Sequence, residues 1–173
     1  RGWDLKGIME RVTPCKAQVT WQRRNDTMEG APASFDSRKA WPKCASIRQI
    51  RNQAECGSCW AFGCVESVTD RYCVAAKQMQ NPILSAEYLV SCDSGSAGCF
   101  GGSPDQAWNW VQQNGLPTVQ CQPYTVPTCK PSQQPCTNFQ PTPQCQQKCT
   151  GKNPGNSTFS NRYYVDRVYN PKG

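Results

Sequence analysis

The sequence contains no histidine. Its absence removes the commonest general base, and a zinc site here would have to draw its four ligands from cysteine alone. No apolar run approaches the roughly 18 to 20 residues needed to span a membrane, and no signal-peptide pattern is visible. There is also no basic run interleaved with aromatic residues. The formal charge of +7 is spread through "RQIR", "QRR" and isolated lysines, which reads as solvated surface and argues against nucleic acid as a partner. Hydrophobic residues make up only 37% of the 173 residues, little for a chain that must build one domain or two small lobes. The chain begins with Arg1 and not Met, so the start of the gene product is expected to be missing or removed.

Cysteine, in contrast, is abundant. Thirteen in one chain of this length belong to a protein of an oxidising route, lysosomal or secreted, in which disulfides supplement a thin core. Two N-glycosylation acceptors, at Asn25 and Asn156, agree with that route.

Three zones follow one another. Residues 1–30 are polar and charged and end in a linker-like "NDTMEGAP". From Phe35 to about Leu116 the pattern is better organised. Ala61, Val65, Val68 and Tyr72 recur at helical spacing, which predicts a helix from about Ser58 to Val74. "LSAEYLVSC" predicts a shorter helix with Ser85 as cap, Glu87 in the first turn and Leu89 inward. "SPDQAWNWVQQNG" predicts a third, with Ser103 capping, Pro104 in the first turn and Asn114-Gly115 as the stop. Beyond Leu116 the chain turns to Pro, Gln, Thr and Cys. Five cysteines from Cys121 to Cys149 predict loops pinned by disulfides rather than a disordered segment. The final "NRYYVDRVYN" alternates as a strand does.

The stretch "NQAECGSCWAFG" admits four readings of its two close cysteines. A redox pair needs a buried strand before it, and "SIRQIRNQAE" is too polar. Zinc lacks further closely spaced ligands. Both cysteines can be disulfide halves. Alternatively Cys59 is a nucleophile, because the N–H groups and positive dipole end of a helix start favour a thiolate.

Cys-Gly-Ser-Cys-Trp is the signature around the nucleophile of papain-like proteases. "PASFDSRKAWPKC", "IRNQAECGSCWAFGCVESVTDRYC", "LSAEYLVSC…GCFGGSPDQAWNWVQQNGL" and the cysteine-rich "CQPYTVPTC…TPQCQQKC" together resemble the cathepsin B-like branch of the papain family. The resemblance covers residues 32 to about 150. It implies an α+β papain-like fold, represented mainly by its helical left lobe with a disulfide-rich insertion at 121–149, the β-rich lobe being largely missing. Residues 31–173 would be the protease part and 1–30 the tail of an inhibitory prosegment.

The same resemblance implies Cys59 as nucleophile and Gln53 as oxyanion donor beside the Cys59 backbone N–H. Gly101 and Gly102 would form the backbone strip along which substrate pairs, with Ser103 and Pro104 near a substrate pocket and Trp60 packing under the cleft. A plain turn at the glycines and plain core packing at Trp60 are the alternatives. The implied disulfides are Cys44–Cys73, Cys56–Cys99, Cys92–Cys145, Cys121–Cys149 and Cys129–Cys136. Cys64 is left as a buried apolar residue and Cys15 without assignment. A further short disulfide of the family is lost, with Asp93 at one of its positions. No cofactor or metal is implied, and the partners would be peptide or protein substrates and cystatin-like inhibitors.

Two departures stand out. The family's histidine base and its asparagine lie about 130 to 150 residues past the nucleophile, and the 173-residue chain ends short of that distance. The loop between Cys129 and Cys136 reads "KPSQQP", without the histidine pair by which cathepsin B holds a substrate C-terminus. Endopeptidase activity is therefore expected over dipeptide removal. A catalytically inactive homologue that binds peptides or inhibitors is the alternative.

Overall fold

A computed structural model describes residues 32–128, 140–152, 154–155 and 158–165. The expectations for the 1–30 prosegment tail, Asn25, Asn156, Cys15 and the Cys129–Cys136 bridge lie outside these residues.

Asp36 opens the first element by accepting the Arg38 N–H at 2.9 Å, and the short helix α1 runs Ser37–Ala40. A 3-10 turn at Ala45–Arg48 follows. The central helix α2 spans Cys59–Ala75, one residue later at each end than its apolar spacing predicts. It is covered on more than one side: Ala61, Val65 and Val68 are buried, and so are Trp60, Phe62 and Cys64. Tyr72, the last residue of the expected stripe, is half-buried and meets the Tyr163 ring edge-on at 4.9 Å.

Helix α3, Ala86–Cys92, packs on α2. The Ser85 hydroxyl caps it by accepting the Tyr88 N–H at 3.1 Å, and donates its own proton to the Gln122 carbonyl at 2.7 Å. One small residue thus starts a helix and ties down the insertion. Helix α4, Pro104–Asn114, also lies against α2. Its stop is as expected, since Gly115 takes φ 66° and returns its N–H to the Val111 carbonyl at 2.9 Å. Ser103 sits at the cap position but makes no side-chain cap bond.

The described parts of the Pro- and Cys-rich segment are held by a buried amide and by disulfides instead of periodic structure. The fully buried Gln122 gives its side-chain N–H groups to the carbonyls of Gln146 and Lys148, both at 2.7 Å. The carboxylate of Glu87 is buried and not merely near a helix start, and it accepts from Thr125 N–H at 3.1 Å and Thr125 Oγ1 at 2.7 Å. Among the described residues four disulfides close: Cys44–Cys73, Cys56–Cys99, Cys92–Cys145 and Cys121–Cys149. They are four of the five pairings that the resemblance implies.

The expected strand over "NRYYVDRVYN" does not form across 161–165. Tyr163 alone makes an antiparallel bridge, exchanging N–H···O bonds of 2.9 Å with Leu116, and the remaining residues of that stretch lie outside the described set. The reason is the lack of a partner. Leu116 is followed by Pro117, which has no N–H for a ladder, and by a second single bridge from Thr118 to Leu84. Among the described residues there are helices, bridges and loops but no strand.

Candidate active site

Cys59 is the first residue of α2, with Ser58 in the flanking cap conformation. Its thiol is exposed and unpaired. Helix geometry gives the N–H groups of Cys59 and Trp60 no acceptor within the helix, whereas those of Ala61 and Phe62 donate to the Ser58 carbonyl at 2.9 and 3.0 Å. The neighbouring disulfide Cys56–Cys99 and a 2.7 Å bond from Gly57 N–H to the Cys99 carbonyl hold the chain as it enters the helix.

Gln53 and Cys59 line one open cavity of about 570 Å³, with Phe62, Arg51 and Glu66 on its walls. The Gln53 amide donates to the Cys56 carbonyl at 2.9 Å. An amide nitrogen carries two protons, so one N–H remains for the cavity. Between these residues the backbone turns through Ala54 at φ 56°, a left-handed conformation that residues with a Cβ seldom adopt. An Asx turn supports it: Ala54 N–H donates to the Asn52 side-chain oxygen at 2.8 Å. Nothing in the sequence marks Ala54 for this role.

The charges near the thiol are set by burial. Arg51 lies over the Phe62 ring at 4.9 Å and donates to the Leu84 carbonyl at 3.0 Å. Desolvation lowers its pKa, and the same cause raises that of Glu66. The second free thiol, Cys64, is buried one turn along α2. Desolvation first, and the negative charge of Asp93 second, push it up to about 12. It remains a neutral thiol at physiological pH, as expected of a buried cysteine.

Trp60 follows Cys59 but is almost fully buried, with its indole N–H given to the Gly98 carbonyl at 3.1 Å. It supports the glycine strip from beneath. A Cβ on Gly102 would come within 2.5 Å of its ring, and Gly101 has φ 122°, open to glycine alone. Both glycines are therefore required by the fold itself. Gly101, Gly102, Ser103 and Pro104 run in sequence into α4 and do not line the cavity that Cys59 shares with Gln53.

The loop before them is organised by Asp93. Its buried carboxylate accepts from Gly95 N–H at 3.0 Å, Ser96 Oγ at 2.7 Å and Gln106 Nε2 at 3.3 Å. A second residue without a sequence signal is Tyr124, whose hydroxyl sits 2.9 Å from both the Gln53 carbonyl and Ser58 Oγ.

The described residues thus bring a free thiol at a helix start into one cavity with the Gln53 amide, and outside that cavity a glycine pair is braced by tryptophan. Residues 31–170 match the papain family of cysteine proteases, and the chain belongs to that family. Within it, the chain is similar to cathepsin B of Dictyostelium discoideum, 50% identical over 118 residues that cover 68% of this chain and 37% of that protein. It is also similar to cathepsin B-like cysteine proteinase 6 of Caenorhabditis elegans, at 36% identity over 98% of this chain and 48% of the relative. Among solved structures, procathepsin B S9 from Trypanosoma congolense superposes with a TM-score of 0.64 at 36% identity, over 76% of this chain and 43% of that one. The chain thus spans less than half the length of each of these three relatives.

Proposed function

We propose that the protein to which these residues belong is a cathepsin B-like cysteine peptidase that cleaves peptide bonds through Cys59. One observation carries this activity: an exposed, unpaired thiol at the first turn of α2 shares a cavity with the Gln53 amide. The thiolate adds to the scissile carbonyl, and the carbonyl oxygen becomes an oxyanion held by the Cys59 backbone N–H and the second N–H of Gln53. Collapse expels the amine, which takes a proton from the base, and leaves a thioester that water hydrolyses. The base is a histidine supplied from beyond Gly173, with an asparagine to orient it. These residues alone therefore do not turn over.

The loop between Cys129 and Cys136 lacks histidines, so the activity is assigned as endopeptidase. Residues 1–30 are assigned to a prosegment that keeps the enzyme a zymogen, Gly101 to Pro104 to substrate binding, and cystatin-like proteins to its inhibitors. Four disulfides fit an oxidising route, and the location proposed is lysosomal or secreted.

The test is a thiol-directed peptide probe on the whole protein, followed by mapping of the adduct and a peptide-hydrolysis assay. The expected result is one adduct, on Cys59, and hydrolysis that Cys59→Ala abolishes. Peptide binding with neither adduct nor hydrolysis would establish the inactive homologue instead.

A further inference from the structure

We propose that Tyr124 is a positioning residue for the oxyanion site, its hydroxyl clamping the Gln53 backbone to the residue before the nucleophile. This rests on the peptidase function proposed above. Tyr124 stands in the cysteine-rich segment, 71 residues from Gln53 and 66 from Ser58, yet its Oη lies 2.9 Å from the Gln53 carbonyl and 2.9 Å from Ser58 Oγ. Proton counting fixes the direction of both bonds. A carbonyl only accepts, so the single phenol proton goes to Gln53, and the Ser58 hydroxyl must donate to Tyr124 Oη.

The two anchored residues flank the site. Gln53 contributes one oxyanion donor through its side chain, and the other is the backbone N–H of Cys59, next to Ser58. Between them lies a loop containing the left-handed Ala54, so the separation of the two donors is not set by regular structure. The clamp spans that loop.

Ser58 shows the same arrangement from its own side. Serine at a helix cap normally accepts from the first turn, but here it makes no side-chain cap bond. Its hydroxyl is committed to Tyr124, and the N–H groups beside Cys59 stay uncovered by it.

The clamp is itself held. The Tyr124 ring stands edge-on to Phe62 with centroids 5.0 Å apart, and the next residue, Thr125, is bonded twice to buried Glu87. Desolvation by burial raises the phenol pKa, so the proton that reaches Gln53 is retained throughout the working range of a peptidase.

The test uses Tyr124→Phe in the whole protein. A donor displaced by a fraction of an ångström costs rate and not affinity, so kcat for peptide hydrolysis should fall roughly tenfold to a hundredfold. KM should stay within about twofold, the signature of an interaction made only in the transition state. Alkylation of Cys59 by iodoacetamide should keep its rate, because displacement at a saturated carbon builds no oxyanion. An unchanged kcat overturns the assignment, and so does a loss of alkylation in step with kcat, which marks general loosening. Should Tyr124→Phe fail to fold, Ser58→Ala removes the second bond of the clamp and is expected to give the same split. Hydrolysis that survives Cys59→Ala overturns Cys59 as the nucleophile, and a parent protein that hydrolyses no peptide overturns the peptidase function itself. An inactive Cys59→Ala beside an unaltered Tyr124→Phe overturns the clamp alone.

Discussion

The indole of Trp60 and the backbone of Gly102 are in contact so close that no side chain fits between them. A Cβ on Gly102 would lie 2.5 Å from the ring carbon Cδ2, 2.6 Å from Cε2 and 2.9 Å from Ser96 Oγ. Trp60 cannot yield easily, being buried and hydrogen-bonded to Gly98. Gly102→Ala is therefore expected to destabilise the protein by about 1–3 kcal/mol, as overpacking does. Urea unfolding of the variant measures this, and a shift of Trp fluorescence in the folded state should accompany it.

Asp93 ties its loop together with three accepted hydrogen bonds from Gly95, Ser96 and Gln106. Asp93→Ala leaves those donors without their acceptor, and the expected loss is about 1–3 kcal/mol. Asp93→Asn keeps the shape and should lose less. Denaturant midpoints of the two variants, compared with the parent, decide the order.

Cys64 gives a pH signature. Its folded-state pKa is pushed up to about 12, while an unfolded thiol titrates near about 8.5. Below the unfolded value both states carry the proton and stability is unaffected. As pH rises from there toward the folded value, the unfolded chain loses a proton that the native chain keeps, and stability falls by ~1.4 kcal/mol per pH unit. Cys64→Ala should remove that slope, measured as the difference in denaturant midpoint between pH of about 7.5 and about 10.5.

The Cys56–Cys99 bridge closes a separation of 43 residues beside the nucleophile. On the loop-entropy account, replacing both cysteines by serine should cost about 4 kcal/mol. Chemical denaturation checks the figure. A loss under about 1 kcal/mol would show that the bond from Gly57 to Cys99 holds the loop unaided.

What could be read from the sequence was local. Helix α2 was legible because Ala61, Val65 and Val68 report one face, and α3 and α4 because Ser85, Pro104 and Gly115 have their own backbone chemistry. Cys59 and Gln53 were legible through a short motif whose parts lie six positions apart. Tyr124 was not, since a Pro- and Gln-rich segment has no period and its bond to Gln53 crosses 71 residues. Ala54 was illegible for another reason: its positive φ goes with the Asx turn at Asn52, against its own preference. Of the strand expected over 161–170, the described residues 161–165 make a single bridge, because alternation records what a segment could pair with, and among the described residues Leu116 is the partner that Tyr163 finds.

The four disulfides overlap in sequence. Cys56 lies inside the span from Cys44 to Cys73, Cys92 inside that from Cys56 to Cys99, and Cys121 inside that from Cys92 to Cys145, with Cys149 just beyond. Every peptide bond from Cys44 to Cys149 is therefore spanned by at least one bridge. A single proteolytic nick anywhere in that interval leaves two pieces covalently joined, which part on a gel only after reduction. Within that interval the chain can be cut once without losing either piece.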